Sequence, residues 1–302
     1  MIKLEKLYSK VNDYFKLKKS ERYTFEAFLE NKLLNDYTYT NLSNKIGKLN
    51  FDIAKLNFDG NTKKSSELIA VRDNLLKKKT KIYNKYLSEL KVKYNCELCK
   101  DTGVYKNKRC KCYYALLTKY LLESLNVKER VYPTFSNDIP NGLEKHYELL
   151  NKFVKKFPNT EIKNFVFLGK VGTGKTYLAS SVVGELNKNK VLTVFLTSNE
   201  LNSIFLKMHR QEIDRELIFD ILTACDLLVI DDLGTEPLYN NVTAEYLLAI
   251  ISERLDKNKH FIITTNLTTG EILNRYNERF LSRISDKKHT AIIPFNGKDL
   301  RI

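Results

Sequence analysis

The stretch GKVGTGKT, Gly169 to Thr176, follows the apolar run FVFL and leads into a helical pattern over Lys175 to Leu186. Glycines at 169, 172 and 174 let successive backbone amides converge on an anion at a helix N-terminus. Gly169, Gly172, Thr173 and Gly174 would shape that loop, Lys175 would reach β and γ phosphates, and the Thr176 hydroxyl would hold Mg²⁺. Downstream, LLVI ends in Asp231 and Asp232, two carboxylates at the carboxyl edge of a strand. Beside a phosphate loop, Asp231 would bind the cation's water shell and Asp232 would polarise an attacking water. Asp is one methylene shorter than the commoner Glu, which points to slow hydrolysis. An ordinary acidic strand end is the alternative. A third cluster, CELCKDTGVYKNKRCKC, spaces Cys96, Cys99, Cys110 and Cys112 as C-x2-C-x10-C-x-C. Four thiolates at such spacing suit tetrahedral Zn²⁺, and a disulfide pair is the weaker reading where thiols are kept reduced.

Two further pieces narrow the class. FIITTN closes on Thr265 and Asn266, where an amide can orient the water against a γ-phosphate. NERFLSRI sets Arg279 and Arg283 four residues apart on one helical face. An arginine so placed can reach across to a neighbouring subunit's nucleotide, with Arg283 the first candidate. The alternative is a surface ion pair with Glu278 or Asp286. Cys225 reads as a buried small apolar residue, and none of His146, His209, His260 and His289 is assigned as a ligand.

Behind these groups stand the elements that must position them. FVFLG, VLTVFLT, LLVIDD, FIITTN and AIIPF are short β-branched or aromatic runs alternating with amphipathic helical segments, the pattern of an α/β fold with a five-stranded parallel sheet and helices on both faces. Residues 1–95 hold no proline and only Gly47 and Gly60, so a mainly helical region is expected there. Leu68, Val71, Leu75, Ile82, Tyr86 and Leu90 can line one side of a helix in a hairpin or short coiled coil, with Lys77, Lys78, Lys79, Lys81 and Lys85 around the rest. Those lysines read as a solvated face ahead of a nucleic-acid contact. The prolines, Asn and Gly of ERVYPTFSNDIPNG mark a boundary. Three parts result: residues 1–95, a metal-binding module and linker helix over 96–130, and the nucleotide domain over 131–302.

Composition bounds the partners. The chain has 302 residues, 43% hydrophobic and 29% charged, with a formal charge of +15. An anionic partner such as nucleic acid is favoured, though lysine-rich composition alone can also produce that charge. No apolar stretch approaches the roughly 20 residues of a membrane span, and charges interrupt the N-terminus, so a cytoplasmic location is expected.

The order of phosphate loop, acidic pair, polar strand end and arginine resembles the AAA+ ATPases. With CELCKDTG, GKVGTGKT, LLVIDDLGTE, ITTNLT and ERFLSR taken together, the sequence from about residue 96 onward resembles bacterial replicative helicase loaders of the DnaC/DnaI type. That resemblance implies an N-terminal region gripping the helicase hexamer and an AAA+ domain that binds ATP and single-stranded DNA and self-assembles in response to either. It carries Lys175 and Thr176 over as phosphate and Mg²⁺ residues, Asp231 and Asp232 as the acidic pair, Asn266 as the sensor and Arg283 as the finger. It also implies a DNA-binding helix within NSIFLKMHRQEIDREL, where Phe205, Lys207, His209 and Arg210 mix an aromatic with positive charge; a core helix fits those residues too. No helical lid follows AIIPF, so adenine contacts fall to Val131–Phe135. A transposition-helper ATPase of the IstB kind is the nearest alternative, and a zinc-bearing nucleic-acid module with a non-hydrolysing ATP site the next.

Overall fold

The computed structural model describes residues 4–89, 94–135, 142–297 and 299–300. Contacts divide the chain into two compact units, Ser9–Tyr114 and a larger one made chiefly of Ala115–Ile302.

The smaller unit is built from long helices, α1 (Leu4–Leu34), α2 (Tyr37–Phe58) and α3 (Thr62–Glu89). The last two form a hairpin closed at both ends by polar contacts. Asp36 caps α2 by accepting the Tyr39 amide at 2.9 Å, and its other oxygen accepts the Tyr86 hydroxyl of α3 at 2.9 Å. At the turn the Ser65 hydroxyl donates to Asn57 Oδ1 at 2.5 Å. Ile46 and Ile53 are buried. Val71, expected on the packed side, is 51% exposed, because the inner face of α3 instead follows Ser65, Leu75, Ile82 and Tyr86. Leu90 lies outside the described residues. Two short strands, β1 (Val104–Tyr105) and β2 (Lys108–Arg109), pair antiparallel. Lys106 and Asn107, at φ 48° and 60°, make the two-residue left-handed turn that suits a hairpin's twist. Helix α4 (Lys111–Ser124) follows, its residues from Ala115 onward belonging to the larger unit.

The larger unit runs α5 (Glu144–Lys156), β3 (Asn164–Gly169), α6 (Lys175–Lys188), β4 (Thr193–Thr197), α7 (Ser198–His209), α8 (Arg215–Ala224) and β5 (Leu227–Leu233). It continues with α9 (Thr243–Asp256), β6 (His260–Thr265), α10 (Thr269–Tyr276), α11 (Glu278–Ile284) and β7 (Thr290–Phe295). The strands form one parallel sheet in the order β4-β5-β6-β3-β7. Strands covered on both faces read as continuous apolar runs, which is why β3, β4, β5 and β6 were legible; β7, at the sheet edge, is only partly buried and leaves Ile292 40% exposed. Phe165, Phe167, Val229 and Ile262 pack against Leu150 and Phe153 of α5 and Leu178 and Val182 of α6. Their alternating neighbours Val166, Leu228 and Ile263, equally buried, point the other way, and α7 and α9 lie against β4, β5 and β6.

Two residues of this unit bear on the sequence reading, and Phe205 decides between its two alternatives. Phe205 of α7 is 1% exposed, with its ring 5.4 Å from that of Tyr246, so it is a core residue and cannot stack on a base. Cys225 is buried as expected and also serves Arg254, a wholly buried guanidinium. That arginine donates to the Leu222 carbonyl at 2.6 Å, to Cys225 Sγ and its carbonyl at 3.1 Å each, and to the His260 carbonyl. It thereby ties the end of α8 to the starts of β5 and β6.

Candidate nucleotide site and cysteine cluster

Strand β3 delivers the phosphate loop. Gly169 pairs in register with Phe295 of β7, and the chain then turns through Gly172 at φ 81° and Gly174 at φ 90°. Only glycine adopts such angles without strain, and the result wraps residues 170–174 around the N-terminus of α6, whose first amides have no partner inside the helix. Lys175 is 5% exposed. Its ammonium donates to the carbonyls of Gly169 and Lys170 at 2.7 Å each and to Asn266 Oδ1 at 2.8 Å. The last contact joins the loop to the end of β6, the strand inserted between β3 and β5.

That insertion also assembles the acidic pair. The Thr176 hydroxyl donates to Asp231 Oδ1 at 2.9 Å, and the Thr264 hydroxyl donates to the same oxygen at 2.6 Å. Burial pushes the Asp231 carboxyl above its ordinary range, with the two threonine hydroxyls pulling the other way. Between β5 and β6 the register shifts: Ile230 faces Ile263 and Leu233 faces Thr265, so Asp231 and Asp232 share the place opposite Thr264. The extra residue makes a bulge-like irregularity, and Asp232 there takes a left-handed φ of 56°. The Asp232 amide donates to Thr264 Oγ1 at 2.9 Å, and its carbonyl accepts the hydroxyls of Ser198 at 2.8 Å and Thr235 at 2.9 Å. Its carboxylate is half-buried and accepts no hydrogen bond among the described residues.

The structure thus brings together Gly169, Gly172, Thr173, Gly174, Lys175, Thr176, Asp231, Asp232 and Asn266. It leaves Arg279 and Arg283 apart: both are exposed on α11, and neither forms an ion pair with Glu278, Asp286 or any other described residue. The segment Val131–Phe135 lies along the later turns of α6. The Pro133 carbonyl fills the space a side chain at Gly184 would take, and the Phe135 amide donates to Glu185 at 3.0 Å. Nearer the loop are Leu143, whose methyl rests on Gly174, and Tyr177, whose hydroxyl bonds that of Tyr147 at 3.3 Å.

Sequence reasoning missed Thr264, Glu236 and Asp299. Glu236, 2% exposed, accepts the Gly234 amide at 2.9 Å and the Tyr276 hydroxyl, while Arg275 donates to its carbonyl. Asp299 sets its carboxylate where a Gly172 side chain would be, and the Leu300 amide donates to the Gly172 carbonyl at 2.9 Å. The acid of GTE directly after the acidic pair was a usable signal; the other two depend on contacts distant in sequence.

In the smaller unit the four cysteine sulfurs lie within 4.8 Å of one another, with Cys96 to Cys110 at 3.7 Å and Cys99 to Cys112 at 3.3 Å. A tetrahedron with Zn–S bonds of about 2.3 Å has edges of about 3.8 Å, so the donor set fits that cation. Asp101 accepts the amides of Asn95 at 2.9 Å and Cys96 at 2.7 Å, and the Gly103 carbonyl accepts the Cys110 amide at 2.9 Å. The Gly103 Cα faces the Phe15 ring so closely that a side chain there would collide with it. Burial works against the Cys99 thiolate, but hydrogen bonds from Cys112 and the Gly103 amide outweigh it and bring that thiol down to about 7.

Loop, helix N-terminus, acidic strand and intervening polar strand together form a candidate phosphate-binding site at one edge of the five-stranded parallel sheet. Residues 153–301 match the family described as IstB-like ATP binding protein. The chain is 29% identical over 147 residues to the replicative helicase loader DnaC of Escherichia coli (strain K12), covering 48% of this chain and 57% of that protein. It is 33% identical over 109 residues to an insertion sequence IS5376 putative ATP-binding protein of Geobacillus stearothermophilus, covering 36% and 42%. Among solved structures, a crystal structure of DnaI aligns at TM-score 0.46 and 20% identity, covering 59% of this chain and 92% of that one. The chain spans little more than half the length of the curated DnaC relatives it matches. Residues 153–301 are thus similar to an IstB-like ATP-binding family, and about half of the chain is similar to DnaC.

Proposed function

We propose that this protein is an ATP-dependent loader of the replicative DNA helicase onto single-stranded DNA. The observation that carries the reading is the closed network Lys175–Asn266 and Thr176–Asp231–Thr264, which ties phosphate loop, polar strand end and acidic strand into one unit in a chain similar to DnaC. In this reading the amides of residues 170–176 and Lys175 bind the phosphates of ATP. Thr176 and Asp231 offer the hard oxygens that suit Mg²⁺, which when bound neutralises phosphate charge. Asp232, its carboxylate accepting no hydrogen bond among the described residues, holds the attacking water and takes its proton. Asn266, released from Lys175 once phosphate takes its place, orients that water. Arg283 serves the nucleotide of an adjacent copy. ATP then favours a DNA-binding assembly through the nucleotide domain, 131–302, and hydrolysis releases the helicase.

Cys96, Cys99, Cys110 and Cys112 hold one Zn²⁺ in the module over 96–130, and residues 1–95 contact the helicase hexamer. The test is capture of the organism's purified replicative helicase by the full chain with and without ATP, followed by transfer of the helicase to a single-stranded circle. No capture in either state would sink the reading. The IS5376 likeness favours a second reading, a transposition-helper ATPase. It predicts binding to a transposase and none to helicase.

A further inference from the structure

We propose that the outer ridge of α2 is a binding surface for single-stranded nucleic acid. At 100° per residue, Tyr37, Asn44, Lys48, Phe51, Lys55 and Phe58 fall within an arc of about 80° on the side opposite Ile46 and Ile53. Tyr37 is 82% exposed, Phe51 73% and Phe58 93%. The lysines between them are exposed and make no ion pair among the described residues. From Lys48 onward, cation and aromatic ring alternate at spacings of three and four, and no carboxylate stands on the ridge.

Charge identifies the occupant. Between Ser9 and Tyr114 the sequence has 24 lysines and arginines against 12 aspartates and glutamates, whereas the rest of the chain has 27 against 24. The positive charge of this protein is therefore concentrated in the unit that carries the ridge, and Zn²⁺ on four thiolates would remove only two charges of it. Aromatic rings also serve protein interfaces, but lysine is depleted there, and on this ridge Phe51 lies one turn from both Lys48 and Lys55 and Phe58 one turn from Lys55, which favours a polyanion. Such rings present faces on which bases stack without sequence preference, and lysines one turn away meet the phosphates. From Tyr37 to Phe58 the ridge is about 31 Å long, enough for several nucleotides. The proposal does not depend on the loader reading, because this unit contains none of the nucleotide-site residues.

The experiment uses the full-length chain and a fluorescent oligothymidylate, read by anisotropy across a salt series without ATP. Phe51→Ala with Phe58→Ala should weaken binding tenfold or more and leave the salt dependence unchanged. Lys48→Gln with Lys55→Gln should weaken it and reduce the slope of log K against log salt by about 1.4, the share of two single-strand phosphates. Phe51→Leu with Phe58→Leu keeps apolar bulk without the ring faces and should behave as the alanine pair does. All three should keep wild-type helicity and wild-type ATP binding. Oligonucleotide affinity unchanged in the phenylalanine variants, or no binding by the wild type at low salt, overturns the proposal. Loss of helicase capture with oligonucleotide binding intact also overturns it, and makes the ridge a protein-docking surface.

Discussion

Thr264 holds both halves of the acidic pair at once, its hydroxyl donating to Asp231 and accepting the Asp232 amide. With the Asp232 backbone fixed in this way, side-chain changes there should act on chemistry alone. Asn adopts the left-handed conformation at least as readily as Asp, so Asp232→Asn should keep ATP affinity within about twofold and thermal stability unchanged while turnover drops about 100-fold or more. A matched loss of nucleotide affinity, measured by titration calorimetry, would mean that Asp232 is not the water-binding acid. Asp231 predicts the reverse. Its carboxyl is raised by burial, so the folded protein holds that proton more tightly than the unfolded chain. Stability is therefore lost as pH rises from the ordinary carboxylate range through the raised value, and at pH 7 the ionised group is a net cost without a cation. Asp231→Asn should raise the melting temperature of the nucleotide-free protein and shrink the further rise that Mg²⁺ and ATP produce. A lower melting temperature without ligand would refute this.

At the scale of elements, Glu236 links the loop after β5 to the end of α10. The next residue, Asn277, at φ 86°, ends α10 and caps α11, the helix that presents Arg279 and Arg283. Tyr276→Phe would leave Glu236 buried with one partner fewer, a change expected to cost about 1–3 kcal/mol in denaturant unfolding. A loss below about 0.5 kcal/mol would show that water replaces the hydroxyl. The β1–β2 hairpin and its flanking cysteines make a separate prediction: the purified chain should contain one zinc, and Cys99→Ser should lose it while ATP binding by the other unit persists. Zinc-free protein with four freely reacting thiols in that cluster would remove the metal assignment. The five strands and the loop residues were legible because runs such as FVFLG and LLVIDD are local signals. The bulge at Asp231 and Asp232 was not, since register is set by the partner strand β6. Thr264 matters only because β6 lies beside β5, and the orientation of Phe205 is decided by Tyr246, forty-one residues away. Val71 shows the same limit within one helix, where several apolar positions competed for the packed face.

For the whole molecule, Arg279 and Arg283, exposed and without an ion pair among the described residues, are the groups on which a contact with a second copy can be tested. An exposed guanidinium with no ion pair or hydrogen bond among the described residues is available to a phosphate on another copy. If Arg283 has that role, Arg283→Ala should bind ATP as the wild type does yet hydrolyse it about 1,000-fold more slowly in the assembled state. Lys175→Ala has the complementary defect: it cannot hold ATP, but it still presents Arg283. Mixed together, the two variants should recover part of the activity that neither shows alone, because each contact pairs an intact nucleotide site with an intact arginine in one orientation. Recovery should rise with protein concentration, and with DNA or helicase where these drive assembly. An ATPase assay over a range of mixing ratios measures it directly. Full activity in Arg283→Ala alone would transfer the role to Arg279, one turn earlier on the same exposed face, and the same mixing experiment with Arg279→Ala would then decide it.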